Sequence, residues 1–300
     1  MIMMKALLLI SLLLLVGSAR AQQIVDIDFK AGVSQPAFTK NFPRVMFDEG
    51  HNNYLTRLGR YKPFVNLIEL DGYQVVTSRK TFSKESLETF KVLIIADALG
   101  AEDVDDAEAG HPAFADNECD AVRDWVKAGG SLLLITDHAP FGGAAEILAK
   151  RFGVEMSAGT TRDPALPDGQ NWFISSRENK LVLDHAITAG RSDTEKINRV
   201  MTFGGQTLKG PEGSAAFLRL SQTAVEAAAL PPNKETPAAG QSQAIALRFG
   251  KGRVVVLGEA SMLNAQVSGR QRAPVGINSP DADNQQLALN IMHWLSGLMK

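Results

Sequence analysis

Hydrophobic positions along this chain fall into two kinds of stretch: short unbroken apolar runs, and longer runs whose apolar residues recur three or four apart. The first kind predicts strands buried on both faces, and the second predicts the helices that cover them. Arg44 to Phe47, Tyr73 to Thr77, Lys91 to Asp97 and Ser131 to Thr136 read as strands, with Val92-Leu93-Ile94-Ile95 a continuous apolar run. Tyr54 to Leu70, Ser83 to Phe90 and Ala144 to Phe152 read as helices. So does the stretch from Asp116 or Asn117, as cap, to the Gly129-Gly130 stop. Strand and helix in alternation imply a parallel sheet covered on both faces through right-handed crossovers.

The second half is less regular. Asn171 to Ser175, Val200 to Phe203 and Ala216 to Leu220 predict short strands, and Thr223 to Gln243 an Ala/Pro-rich loop. Ala244 to Phe249 and Arg253 to Gly258, joined by Gly250-Lys251-Gly252, predict a hairpin. Asp283 is the expected cap of a last helix whose apolar stripe is Leu287, Ile291, Trp294, Leu295 and Leu298. No internal repeat or linker divides the chain, so residues 22–300 are expected to form one α/β domain.

The leader changes the expected compartment. Met1 to Lys5 is a short basic head, Ala6 to Gly17 a Leu-rich run, and Ala19-Arg20-Ala21 a small-x-small cleavage site. This is the pattern of a secretory signal peptide over residues 1–21, the alternative being an uncleaved anchor. A periplasmic or secreted protein starting near Gln22 is expected, with no integral membrane segment after the leader. Without Lys5 and Arg20 the chain carries 29 Lys and Arg against 33 Asp and Glu, a net charge of −4. Nucleic acid and anionic membranes are therefore not expected partners. Cys119 is the only cysteine and shares a helical face with Val122 and Val126, so it reads as core and forms no internal disulfide.

Ligands of open α/β sheets bind outside the carboxyl ends of the strands, and here those ends are polar. Asp48, Glu49, His51 and Asn52 follow the first strand, Asp137 and His138 the central one, and Glu259, Ser261 and Asn264 the hairpin. Asp283 and Asn284 begin the last helix and are candidates for the same edge. Singly, Asp48, Asp137 and Asp283 also read as caps or turn braces. Only five histidines are present, yet two strand ends each carry an Asp with a His one or three residues on. As metal ligands, Asp48, His51, Asp137 and His138 would suit zinc or another divalent ion, although their spacing is no known metal motif. Without a metal, His51 or His138 would act as general base, oriented by the acids. Ser261 does not fit G-x-S-x-G. His111 and His293 read as structural.

The segments D-E-G-H-N-N, W-V-K-A-G-G-S-L-L-L-I-T-D-H, G-K-G-R-V-V-V-L-G-E-A-S and D-N-Q-Q-L-A-L-N-I-M-H-W-L-S-G resemble the class I glutamine amidotransferase-like superfamily. Within it the chain is most similar to an exported domain-of-unknown-function branch near the GIFT module of gliding-motility and intraflagellar-transport proteins. The resemblance spans about Arg44 to Gly297 and is loose over Glu155 to Gln243. It implies a flavodoxin-like three-layer sandwich, mostly parallel with a C-terminal antiparallel hairpin, and binding of carbohydrate or another polar ligand. True amidotransferases carry a cysteine on the elbow after the central strand, where this chain has Asp137-His138. Glutaminase activity is thus not expected. The expected function is binding of a polar small molecule or glycan. The alternatives are a hydrolase of such a compound, metal-dependent or not, and a non-catalytic module that docks another protein.

Overall fold

The computed structural model describes residues 24–26, 28–167, 170, 172–228, 234–269 and 272–300. The leader at 1–21, and Asn171 at the start of an expected strand, lie outside the described residues. A short strand β1 (Ile24–Val25) is followed by β2 (Arg44–Asp48), α1 (Lys62–Leu70), β3 (Gln74–Ser78), α2 (Lys84–Leu87), β4 (Val92–Ala96), α3 (Asp116–Ala128), β5 (Ser131–Ile135) and α4 (Phe141–Lys150). The next segment is strand-rich: β6 (Glu155–Met156), β7 (Gly159–Arg162), β8 (Trp172–Ser176), the one-turn α5 (Ala186–Ala189), β9 (Arg199–Phe203), β10 (Leu208–Lys209), β11 (Ala215–Arg219), β12 (Val225–Ala228) and β13 (Glu235–Pro237). The hairpin β14 (Ser242–Phe249) and β15 (Gly252–Leu257) leads to β16 (Ala265–Ser268), β17 (Ala273–Gly276) and α6 (Asn284–Ser296).

The main sheet is mixed, in the order β3-β2-β4-β5-β15-β14-β10-β6, with β11 also paired to β14. Its first five strands are parallel, and β14 turns antiparallel. The register sets Ala96 and Leu257 on either side of Ile135, so the ends of β4, β5 and β15 stand level. One face packs on α1 and α6 through Phe64, Leu67, Leu287, Ile291 and Trp294, and the other on α3 and α4 through Cys119, Val122, Ala145 and Leu148. Three small sheets flank this body: β1-β16-β17, β13-β12-β7 and β8-β9. The architecture is α/β, with more antiparallel structure than a flavodoxin-like layout has. Among the described residues no helix is long and apolar enough to cross a membrane.

Several boundaries differ from the expectation. The first helix starts at Lys62 rather than Tyr54, because Pro63 is tolerated only in a first turn and Tyr61 sits at the cap position. Ala115, not Asp116 or Asn117, is the cap residue of α3; Glu118 reaches back to accept its N–H at 3.0 Å. α4 begins at Phe141, three residues early, which places Gly142 and Gly143 inside its first turn. The stretch Thr223 to Gln243 is not one loop, since β12 pairs with both β7 and β13 and supplies the ladder bonds that its Ala/Pro composition did not announce. Leu298 falls outside the α6 stripe because Gly297, at φ +87°, ends the helix in the left-handed region.

Candidate functional site

The level ends of β4, β5 and β15 each release a carboxylic acid: Asp97, Asp137 and Glu259 respectively. Asp97 takes a left-handed conformation, φ +48°, which Asp tolerates better than most side chains. Its N–H donates to Ile135 O at 3.0 Å and its carbonyl accepts from Tyr54 N–H at 2.8 Å, so the turn is fixed from both sides. Glu259 is fully buried and accepts from the backbone N–H groups of Ser261 and Met262 at 2.7 and 2.8 Å, bracing the 3-10 turn Ser261–Leu263. The Asp137 carboxylate accepts from His138 N–H at 2.7 Å.

Above these acids lies a cleft of about 440 Å³. Its lining includes Asp97, Asp137 and His138 from the strand ends, Ser261 and Asn264 from the turn after β15, and Gln266 from β16. Tyr54 and Arg60 form part of its wall, with the guanidinium 4.8 Å from the Tyr54 ring centre. Asp97, Asn264 and Gln266 are buried to 2, 1 and 3 % exposure, yet Asp97 Oδ1, both polar atoms of the Asn264 amide and Gln266 Oε1 have no hydrogen-bond partner. Buried polar atoms are normally paired, so four unpartnered ones among the residues of one cleft set it apart.

The carboxyls also perturb one another. Burial, then the charges of Asp137 and Glu259, push Asp97 well above the usual carboxylate range. Burial raises Asp137 as well, against the opposing pull of the His138 charge and nearby N–H groups. For Glu259, burial and then Asp137 push the acid up to about 8, the two N–H bonds notwithstanding. Tyr61, whose hydroxyl donates to Ala260 O at 2.7 Å, is raised by burial and by the same acids. Glu259 therefore holds its proton at neutral pH, and burial favours the neutral forms of Asp97 and Asp137 in the same direction.

Of the residues expected from sequence, Asp137, His138, Ser261 and Asn264 line the cleft, and Glu259 lies beneath it. Asp48 and His51 form a separate, buried assembly. His51 Nδ1 is 2.9 Å from Asp48 Oδ2 and its Nε2 is 3.1 Å from Glu118 Oε1, with the ring between Phe82 and Phe114 at 4.6 and 4.7 Å. Glu118 also accepts from Phe82 N–H and Ala115 N–H. Burial lowers the His51 pKa, but hydrogen bonds and charge from Asp48 and Glu118 outweigh it, and the imidazole is held above its ordinary value. Both ring nitrogens are thus committed to carboxylates, and His51 is not placed to act as a base in the cleft.

The proposed ligand quartet of Asp48, His51, Asp137 and His138 does not assemble, because the first pair points into this aromatic slot and the second to the cleft. Among the described residues no three His, Cys, Asp or Glu are grouped to hold a metal ion. Glu49 accepts from Arg57 N–H and pairs with Arg79, while Asn52 is exposed beside Leu99 O. Asp283 makes no side-chain cap; its carboxylate accepts from Asn198 and Arg199 N–H, and Asn284 bonds Met201 and Met262, so both tie α6 to β9 and the 3-10 turn. His293 is buried against Asp71 at 2.7 Å. Cys119 is buried in the core, and its thiol is pushed up to about 11 by burial, so it supplies no thiolate near neutral pH.

The polar cleft residues that sequence reasoning missed are Asp97, Arg60, Tyr54, Asp105 and Gln266. Asp97 carried the same signal as Asp137, a carboxylate directly after an unbroken apolar strand. Gln266 carried none, because its place depends on β16 folding back beside the strand ends.

The fold is similar to that of the N-terminal domain of mmIFT52, with a TM-score of 0.59 and 13% identity over 84% of this chain and 97% of that domain. Weaker structural matches include a proposed ThuA-like protein from Bacteroides uniformis (TM-score 0.45, 11% identity, 89% and 94% covered) and a proposed GMP synthase component from Thermoplasma acidophilum (0.43, 10%, 86% and 96%). No protein-family model matches the chain, and no curated protein matches its sequence significantly. At 13% identity the likeness to the mmIFT52 domain is one of fold.

Proposed function

We propose that this chain binds a carbohydrate or a similar hydroxyl-rich small molecule in the cleft over Asp97 and Asp137. The observation that carries the reading is the set of buried, unpartnered polar atoms on Asp97, Asn264 and Gln266. Hydroxyl groups both donate and accept, so a polyol satisfies acceptors and amide donors alike. The cleft is small, concave and largely polar, which suits a monosaccharide or the end of a glycan. The acids below it disfavour anionic ligands. The branch near the GIFT module belongs to the same proposal and draws support from the fold shared with the mmIFT52 domain.

A second reading is favoured by the acids themselves. Neighbouring carboxyls raised by burial and by one another can supply a general acid and a general base, which is the requirement for glycoside hydrolysis. One experiment serves both readings: calorimetric titration with a panel of neutral hexoses and their chromogenic glycosides, using wild type and Asn264→Ala. Saturable binding, weakened about tenfold by the substitution, is expected for loss of bonds to a buried amide. Release of the chromophore identifies the hydrolase. Absence of binding across the panel contradicts both.

A further inference from the structure

Among the buried unpartnered polar atoms of the cleft lining, acceptors outnumber donors. Free acceptors are Asp97 Oδ1, the Asn264 carbonyl and Gln266 Oε1, while the one unpartnered buried donor among the lining residues is the Asn264 amide N–H₂. Three acids meet under the cleft from β4, β5 and β15, and Asp105, on the loop after β4, adds a fourth at its rim. Facing them, Arg60 comes from the segment before α1 and His138 from the segment after β5; Tyr61, also against the acids, is neutral. Arg60 is spread over the Tyr54 ring and His138 Nδ1 is 2.7 Å from Ala139 O, so neither makes a hydrogen bond to Asp97.

Resting on the carbohydrate reading above, we infer that the preferred ligand carries a primary amine, as an amino sugar does, and that its ammonium group sits between Asp97, Asp137 and the Asn264 and Gln266 carbonyls. An ammonium brings three N–H donors to the buried acceptors and a positive charge to the acids beneath them. A divalent ion would need these oxygens drawn into one coordination shell, whereas acceptors spread along a cleft suit a group that points its bonds outward. N-acetylation would remove the charge and two of the donors, so the acetylated sugar gains little over the neutral one. Burial and mutual repulsion raise all three acids, and an ammonium ion arriving beside them favours their ionised forms, so binding is proton-linked.

The test is calorimetric titration of the full chain with glucosamine, galactosamine and mannosamine, each beside its parent hexose and its N-acetyl form, in buffers of differing ionisation enthalpy at pH 6.5. At least one amine is expected to bind about tenfold more tightly than its two partners, a difference typical of one charge-assisted contact, with net proton release to the buffer. Asp97→Asn should bring the ratio of amine to hexose affinity to about one, whatever it does to the hexose itself; Asp137→Asn gives the same readout should the first variant fail to fold. Equal affinities across each trio overturn the inference and leave the carbohydrate reading standing. No binding by any of the nine sugars overturns both.

Discussion

His51 shows how a residue that looks functional in sequence becomes structural once its partners are in place. Its imidazole joins the end of β2, through Asp48, to the start of α3, through Glu118, inside an aromatic slot. Removing one partner of a buried ion pair leaves the other charge uncompensated. His51→Ala is therefore expected to lower unfolding free energy by about 3–5 kcal/mol in urea denaturation. A loss below about 1 kcal/mol would show that the pair is not held as described. The sequence named His51 because Asp and His stood near each other at a strand end; it could not show Glu118, 67 residues away, taking the second nitrogen. Asp97 is the opposite case, since its placement was as legible as that of Asp137.

At the scale of elements, the parallel strands were readable because each is a continuous apolar run with turn residues at its ends. Between Glu155 and Gln243 the apolar stretches of β8, β9 and β11 were readable too, but β6, β7, β10, β12 and β13 were not, because two to four residues of mixed polarity acquire their structure from pairing across the sheet rather than from their own pattern. One such pairing fixes the cleft: β16 and β17 form a hairpin in which Ile277 N–H donates to Asn264 O at 2.7 Å. Gly276 lies against that carbonyl at φ +88°, and a Cβ there would come within 2.0 Å of Asn264 O. Gly276→Ala is thus expected to displace Asn264 and weaken saccharide binding about tenfold or more, through lost bonds to its amide. Unchanged affinity in a titration of the folded variant would mean that Asn264 does not contact the ligand.

For the whole molecule, the sheet's register brings three acids to one level, with Asp97 and Glu259 buried and Asp137 partly buried beside them, and the cleft and the raised acids both depend on that convergence. The consequence for stability has a definite sign. An acid whose folded pKa is raised holds its proton in the native state after the unfolded chain has lost it, so stability is fully present below the unfolded value and is lost as pH rises through the folded one. Glu259, Asp97 and Asp137 act in this sense, and so does His51, whose raised pKa makes its contribution fade as it deprotonates. His185, lowered to about 4 by burial and by Arg248 and Arg253, acts oppositely, but its effect is complete by about pH 6.5. Equilibrium unfolding from pH 6.5 to 8.5, with Glu259→Gln beside wild type, isolates the acids. Wild type should lose stability across that window, with Glu259 alone accounting for about 2 kcal/mol, and the variant should lose less. A wild-type profile that is flat or rises over the same interval would show that the acids do not share a buried site.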